Sequence, residues 1–181
     1  MRLLLTVAAL AAASPAFAAQ VDDRAAMAIA KPQELIVAKD LPAATVAAML
    51  KPVEAFYGFW NNGSGVLFDA AVSRRFFDHT LPKGRPQGPA GPVAASKAFL
   101  GAVPDLKVAV VQRLVVGDRV VSHLHFTGHF TGTFMGKSGT GQPIDFIATD
   151  ILRVAGGKIT DNWHLEDNLT FQQQIGLVPA G

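Results

Sequence analysis

Gly117-Asp118-Arg119-Val120-Val121-Ser122-His123-Leu124-His125-Phe126-Thr127-Gly128-His129-Phe130-Thr131 is the stretch from which the rest of the chain is most easily read. Val120, Leu124, Phe126 and Phe130 fall on one parity and Val121, His123, His125, Thr127 and His129 on the other, the period of a strand with one apolar face. Gly117-Asp118 is a hairpin turn of the kind that wants positive φ, so the preceding run, Leu106 to Val116, is its antiparallel partner. Gly128 and Gly132 invite a bulge or bend in this strand. Downstream, a glycine-rich connection from Gly132 to Gly141 leads to a strand over Ile144 to Val154. Ala155-Gly156-Gly157 then reverses the chain into a last strand, Lys158 to about Asp167.

Upstream of Pro104 the period is helical. Val46, Met49, Leu50, Val53, Phe56, Tyr57 and Trp60 recur at three- and four-residue steps, and Asn61-Asn62-Gly63-Ser64-Gly65 ends the pattern. Pro52 inside it marks either a fresh helix start or a kink. A short helix is expected over Val66 to Val72. Phe76-Phe77-Asp78-His79 leads into a loop from Leu81 to Pro92, and a third helix covers Val93 to Val103. Helices followed by consecutive hairpins give an α+β fold, with a bent antiparallel sheet wrapped round about three N-terminal helices and enclosing an apolar pocket. The order excludes a doubly wound nucleotide-binding fold, and no G-x-G-x-x-G or Walker sequence is present. Residues 45–181 form this domain, Leu169 to Leu177 closing it as a short amphipathic segment. Residues 19–44, rich in Ala and broken by Pro32 and Pro42, read as a tether.

Residues 1–18 read as a secretory signal peptide. Met1-Arg2 is a basic start, Leu3 to Ala13 a short apolar core and Ala16-Phe17-Ala18 a small-x-small cleavage site. The expected location is periplasmic or secreted, without stable membrane insertion, because no apolar run reaches the length of a spanning helix. The 181 residues contain 16 Lys+Arg, 14 Asp+Glu and no cysteine. Near-balanced charge argues against nucleic acid as a partner. Absence of cysteine removes disulfides, thiolate nucleophiles and Cys-ligated metal, leaving carboxylates and histidines to carry any catalysis.

Three groups of candidates follow. Asp167 shares parity with Ile159, Asp161, Trp163 and Leu165, so on an unbroken strand it faces the side that carries Trp163. In an apolar pocket its pKa would rise and suit it to general acid/base work; the other reading is a cap for the helix near Leu169. Glu166 has the opposite parity and reads as solvated. Asp150 shares parity with Phe146, Ala148, Leu152 and Val154. It reads as a partly buried carboxylate that needs a partner, with His125 or His123 as an acid/base or structural pair. Gly117 with His123-x-His125 reproduces the opening of a cupin metal motif but lacks the glutamate that should follow, so no metal site is assigned and no cofactor is expected. Tyr57, Trp60, Phe126, Phe146 and Trp163 are candidates for the pocket wall, with His79 and His123 as its polar members.

The ordered series Pro104-Asp105-Leu106-Lys107-Val108, Gly128-x-Phe130-Thr131-Gly132-x-Phe134-Met135-Gly136, Thr140-Gly141, Asp150-Ile151-Leu152-Arg153-Val154, Gly157-Lys158-Ile159, Trp163-x-x-x-Asp167, Gln173 and Ile175-Gly176 resembles the SnoaL-like polyketide cyclases, or ester cyclases. Phe56-Tyr57, Trp60-Asn61 and Asp78-His79 match the first half of that family. The resemblance implies the nuclear transport factor 2-like (cystatin-like) cone, commonly a homodimer, with a ligand pocket inside. It also implies a cofactor-free intramolecular aldol ring closure, with an aspartate at the position of Asp167 as general acid/base. Relatives often carry histidine where this chain has Phe130, and His129 stands beside it. The sequence thus leads to an exported domain that binds a small hydrophobic carbonyl compound. A non-catalytic ligand-binding or scaffold domain of the same fold is the alternative.

Overall fold

A computed structural model describes residues 21–180, so the signal-peptide reading of residues 1–18 lies outside the described residues. The first elements lie where a tether was expected. Helix α1 (Asp23–Ile29) is capped by Asp22, whose carboxylate accepts the Ala25 amide at 2.8 Å, and strand β1 (Pro32–Val37) follows it. Ala26 and Ala30 are fully buried. The tether reading is therefore corrected. The fully buried side chains of the helix region are alanines, which leave little hydrophobic signal, and β1 shows no alternation because its side chains stay largely exposed while its backbone pairs in parallel with the next sheet strand, β3 (Lys107–Val116).

Helix α2 (Ala43–Asn62) runs through Pro52, which is buried, so of the two alternatives at that proline the fresh start does not occur. It stops at Gly63, where φ is 72° and the amide bonds the Phe59 carbonyl at 2.7 Å; this left-handed cap is one that glycine adopts without strain. Helix α3 (Gly65–Ala71) leads directly into a strand that periodicity does not reveal, β2 (Val72–Asp78). β2 pairs in parallel with the last strand, and a register break between Val72 and Phe77 erases its alternation. Helix α4 (Ala90–Ala102) precedes the long hairpins. These are β3, then β4 (Arg119–Phe130), β7 (Gln142–Ala155) and β8 (Lys158–Glu166), with a small hairpin, β5 (Thr133–Phe134) and β6 (Lys137–Ser138), between β4 and β7. A Cβ at Gly132 would lie 1.9 Å from the Gly101 carbonyl oxygen, so that hairpin can approach the end of α4 only with glycine there. Helix α5 (Asn168–Gln174) closes the fold. No helix among the described residues is long and apolar enough to cross a membrane.

The strand order is β1-β3-β4-β7-β8-β2, antiparallel in the middle and parallel at both edges. The inner face of this curved sheet carries rows of facing residues. One row is Arg113, Ser122, Asp150 and His164, polar across four strands. Apolar rows flank it, Val115-Val120-Leu152 on one side and Val110-Leu124-Ala148 on the other. No break interrupts the β4–β7 pairing at Gly128; among the antiparallel pairings the irregularities fall instead in β3–β4 and β7–β8.

The β7–β8 irregularity decides where the site's side chains point. Val154 faces Ile159 but Arg153 faces Asp161, which leaves Thr160 as an extra residue. A single extra residue exchanges the two faces of everything that follows. Ile159 is buried, and after the bulge Asn162, His164 and Glu166 point inward while Asp161, Trp163 and Leu165 point out.

Candidate functional site

The inward rows meet α2 and α4 around a cavity of about 30 Å³, room for about two water-sized groups. Phe56, Trp60, Phe99, Leu124, Phe126 and Phe146 make its apolar walls. Its polar groups gather toward β8 and β2: Asp78, Arg85, Asp150, Asn162, His164 and Glu166. Phe126 and Phe146 stack 4.8 Å apart, centroid to centroid, and Phe99 packs against both, so the apolar side is an aromatic cluster continuous with the core.

Asp150 is 6% exposed. The Tyr57 hydroxyl donates to its Oδ2 at 3.0 Å. Burial pushes the carboxyl up to about 7; the positive field of His164 and the Tyr57 hydrogen bond oppose that rise, while Glu166 and Asp78 add to it. His164 lies opposite Asp150 across the β7–β8 pair. Its Nε2 is 3.0 Å from Asp78 Oδ2 and its Nδ1 3.1 Å from Glu166 Oε1. Burial works against the ring's charge, but the Glu166 hydrogen bond and the charges of Glu166, Asp150 and Asp78 outweigh it and lift His164 to about 9. Both ring nitrogens therefore donate at neutral pH, and the imidazolium is a fixed positive charge rather than a base. Glu166 is likewise raised by burial, but its hydrogen bond to His164 and that ring's charge win, holding it below the usual carboxylate range. Tyr57 goes the other way: burial and the charge of Asp150 raise it well above an ordinary phenol, so it stays a donor. Asn162 Oδ1 is buried and has no hydrogen-bond partner.

Of the residues expected at the site, Asp150, Tyr57, Trp60, Phe126 and Phe146 surround this cavity; Tyr57 does so through its bond to Asp150. The rest lie elsewhere. Asp167 is the N-cap of α5, accepting from the Thr170 amide at 3.0 Å and the Thr170 hydroxyl at 2.7 Å, and these two bonds hold its exposed carboxyl below the usual range. The capping interpretation of Asp167 is the correct one, because the bulge at Thr160 moves it out of the pocket-facing set. His125 and His123 do not reach Asp150. Both lie on the outer face, where His125 pairs with Asp145 at 2.7 Å and His123 with Thr149 at 3.0 Å. Among the described residues no group of three or more His, Asp or Glu is arranged to hold a metal ion. Trp163 is also on the outer face, stacked on His79 with ring centroids 4.1 Å apart and the Arg119 guanidinium 5.1 Å away. His79 pairs there with Asp161 at 2.9 Å.

Sequence reasoning passed over His164 and Asn162 and placed Glu166 in solvent. The available signal was the alternate set Asn162, His164 and Glu166, three hydrogen-bonding residues at every second position of a strand whose other parity is just as amphipathic.

The family model of the SnoaL-like polyketide cyclases matches residues 51–175. A solved structure named as a candidate polyketide cyclase from Bacillus cereus ATCC 10987 is 42% identical, with 83% of this chain and 95% of that chain covered at a TM-score of 0.75. TsrD from Streptomyces laurentii is 23% identical over 77% of this chain and 100% of that chain, TM-score 0.65. IdmH, a candidate polyketide cyclase from Streptomyces antibioticus, is 23% identical over 69% and 96%, TM-score 0.62. These last two speak to the fold alone. No curated protein matches. With most of the sheet, α3 and α4, all the cavity residues and α2 from Lys51 onward inside the matched span, the chain belongs to the SnoaL-like polyketide cyclase family and has its nuclear transport factor 2-like fold.

Proposed function

We propose that the protein binds a small hydrophobic carbonyl compound and performs cofactor-free acid/base chemistry on it through Asp150. The observation that supports this most is a buried carboxyl whose pKa lies near 7, held by a tyrosine hydroxyl beside an aromatic-walled cavity. A group tuned to the working pH both takes and returns protons efficiently. In the ionised form Asp150 removes a proton from a carbon next to a carbonyl. The C–H pair moves into the new C=C bond, and the carbonyl π pair moves onto oxygen as an enolate. After the enolate carbon attacks a second carbonyl, Asp150 returns the proton to the alkoxide; returned to carbon instead, it gives an isomer. His164, unable to act as a base, supplies the positive charge that favours both the ionised Asp150 and the enolate. A ligand larger than the cavity enters by displacing the 80–89 loop that carries Arg85, the least regular part of the wall.

The exchange of the C1 hydrogens of 2-tetralone for deuterium, followed by NMR, tests the chemistry. Exchange proportional to protein concentration is expected, falling by ~10²–10⁴-fold in Asp150→Asn and persisting in Asp167→Asn. Equal rates in wild type and Asp150→Asn would refute the role of Asp150. The internally satisfied Asp78–His164–Glu166 cluster favours a second reading, a non-catalytic binding domain, which predicts ketone-induced thermal stabilisation without exchange.

Two further parts of the proposal rest outside the cavity. Export is supported by the composition of residues 1–18 and is checked by whether the exported protein begins at Ala19. A homodimer is supported by Phe77, Ile147, Ile151 and Leu165, all exposed on the outer sheet face, and is checked by sedimentation.

A further inference from the structure

Asn162 stands on β8 just beyond the extra residue Thr160, and the exchange of faces there turns its side chain inward. It is 6% exposed and lines the polar end of the cavity. Its backbone carbonyl accepts the His79 amide at 2.9 Å, so the tie between β8 and β2 needs nothing from the side chain. Oδ1 is sealed from solvent and has no hydrogen-bond partner, and no side-chain hydrogen bond among the described residues fixes the amide. Its neighbours are already committed. The Tyr57 hydroxyl is given to Asp150, and the two His164 nitrogens face Asp78 and Glu166. Asp78 Oδ1 accepts the amide and hydroxyl of Thr80, and Glu166 Oε2 accepts from Asn168.

Burying an amide without a hydrogen bond is costly. Leu152, which lies opposite Asn162 on β7, is fully buried, so an apolar side chain of similar size would suit the position and remove the cost. Violations of this kind gather at sites where a ligand supplies the missing partner. We propose that Asn162 is the specificity-determining residue of the cavity and that it selects ketones carrying a hydroxyl group. A hydroxyl both donates and accepts, so it satisfies an amide presented by either end. Charged groups are turned away by the neighbours, a carboxylate by Asp78 and Glu166 and an ammonium by His164. Asp150 faces His164 and Leu152 faces Asn162, which sets Asp150 and Asn162 one strand and two residues apart, about 8 Å between backbones. The hydroxyl and the acidic carbon of the ligand therefore lie roughly one ring apart. A ketone without the hydroxyl leaves the amide unpaired when it binds, and that difference is the basis of selection.

This assignment deepens the ketone-binding reading and rests on it. Isothermal titration calorimetry on the full chain compares 2-tetralone with 5-, 6-, 7- and 8-hydroxy-2-tetralone. At least one hydroxylated ketone is expected to bind wild type about tenfold more tightly than 2-tetralone, and Asn162→Leu is expected to hold all of them within about twofold of one another. Urea unfolding of the ligand-free proteins gives a second readout, in which Asn162→Leu should be at least as stable as wild type. Should the branched leucine prevent folding, Asn162→Ala carries the binding comparison. Overturning results are a hydroxyl preference that survives the substitution, or a folded leucine variant that unfolds at clearly lower urea, which would mean that the amide serves the fold. Failure of every ketone to bind refutes the ketone-binding reading and this one with it. Wild type that binds 2-tetralone and favours no hydroxylated form refutes this one alone.

Discussion

His164 carries a proton with no exit, since each of its N–H groups ends on a carboxylate. A group whose pKa is higher in the folded than in the unfolded chain stabilises the fold fully below its unfolded pKa and loses that contribution as pH rises through the folded one. For His164 the window runs from 6.5 to about 9. Asp150 has the same sign, and its window runs from 3.8 to about 7. Asp105, Asp118, Asp161 and Glu166, all held below their usual values, act oppositely and lose their contribution only on acidification. His164→Gln should therefore melt below wild type by the widest margin near pH 6, and the gap should close toward pH 10. A gap that stays constant across that range would mean the ring is not charged in the folded protein. The contrast with Asp167 is instructive at this scale. The two carboxylates lie seventeen positions apart, and burial raises the pKa of Asp150 to about 7 while the exposed Asp167 is spent on a helix end.

At the scale of elements, the sequence made the three long hairpins plain because each strand buries one face and exposes the other, and alternation records that. β4 is the clearest case, with Val120, Leu124, Phe126 and Phe130 buried as expected. Helices α2, α3 and α4 were legible for the same reason at a different period. β1 and β2 were not, because edge strands held by backbone pairing leave no regular mark in side chains. The site was half legible. Asp150, Tyr57, Trp60, Phe126 and Phe146 come from elements of unbroken period. The β8 residues were assigned to the wrong face because Ile159 to Asp167 reads as one alternation and nothing in Ile159-Thr160-Asp161 announces an inserted residue. The resemblance drew the eye to Trp163-x-x-x-Asp167, a spacing that here spans an outward tryptophan and a capping aspartate. A family motif can thus mark the place in the chain correctly and still name a neighbour of the groups that line the cavity.

For the whole molecule, the first two elements are part of the fold and not an attachment to it. Removing them strands polar groups in the interior: Arg113 Nη2 loses the Ala30 carbonyl and Asn62 loses Asp23. Each buried group left unpaired costs about 1–3 kcal/mol. A chain beginning at Ala43 should therefore unfold at clearly lower urea than one beginning at Ala19, and coincident unfolding curves would restore the tether interpretation. The family model begins at residue 51, so this support is built from residues outside the matched span. The strand order carries one more consequence. β2 is made early but finds its place only beside β8, and Asp78 bonds a histidine 86 residues further along the chain. Contacts between such distant parts form slowly, after the local hairpins. The polar side of the cavity is thus assembled last, and a chain still emerging from the ribosome holds aromatic walls without the charges that would act on anything caught between them.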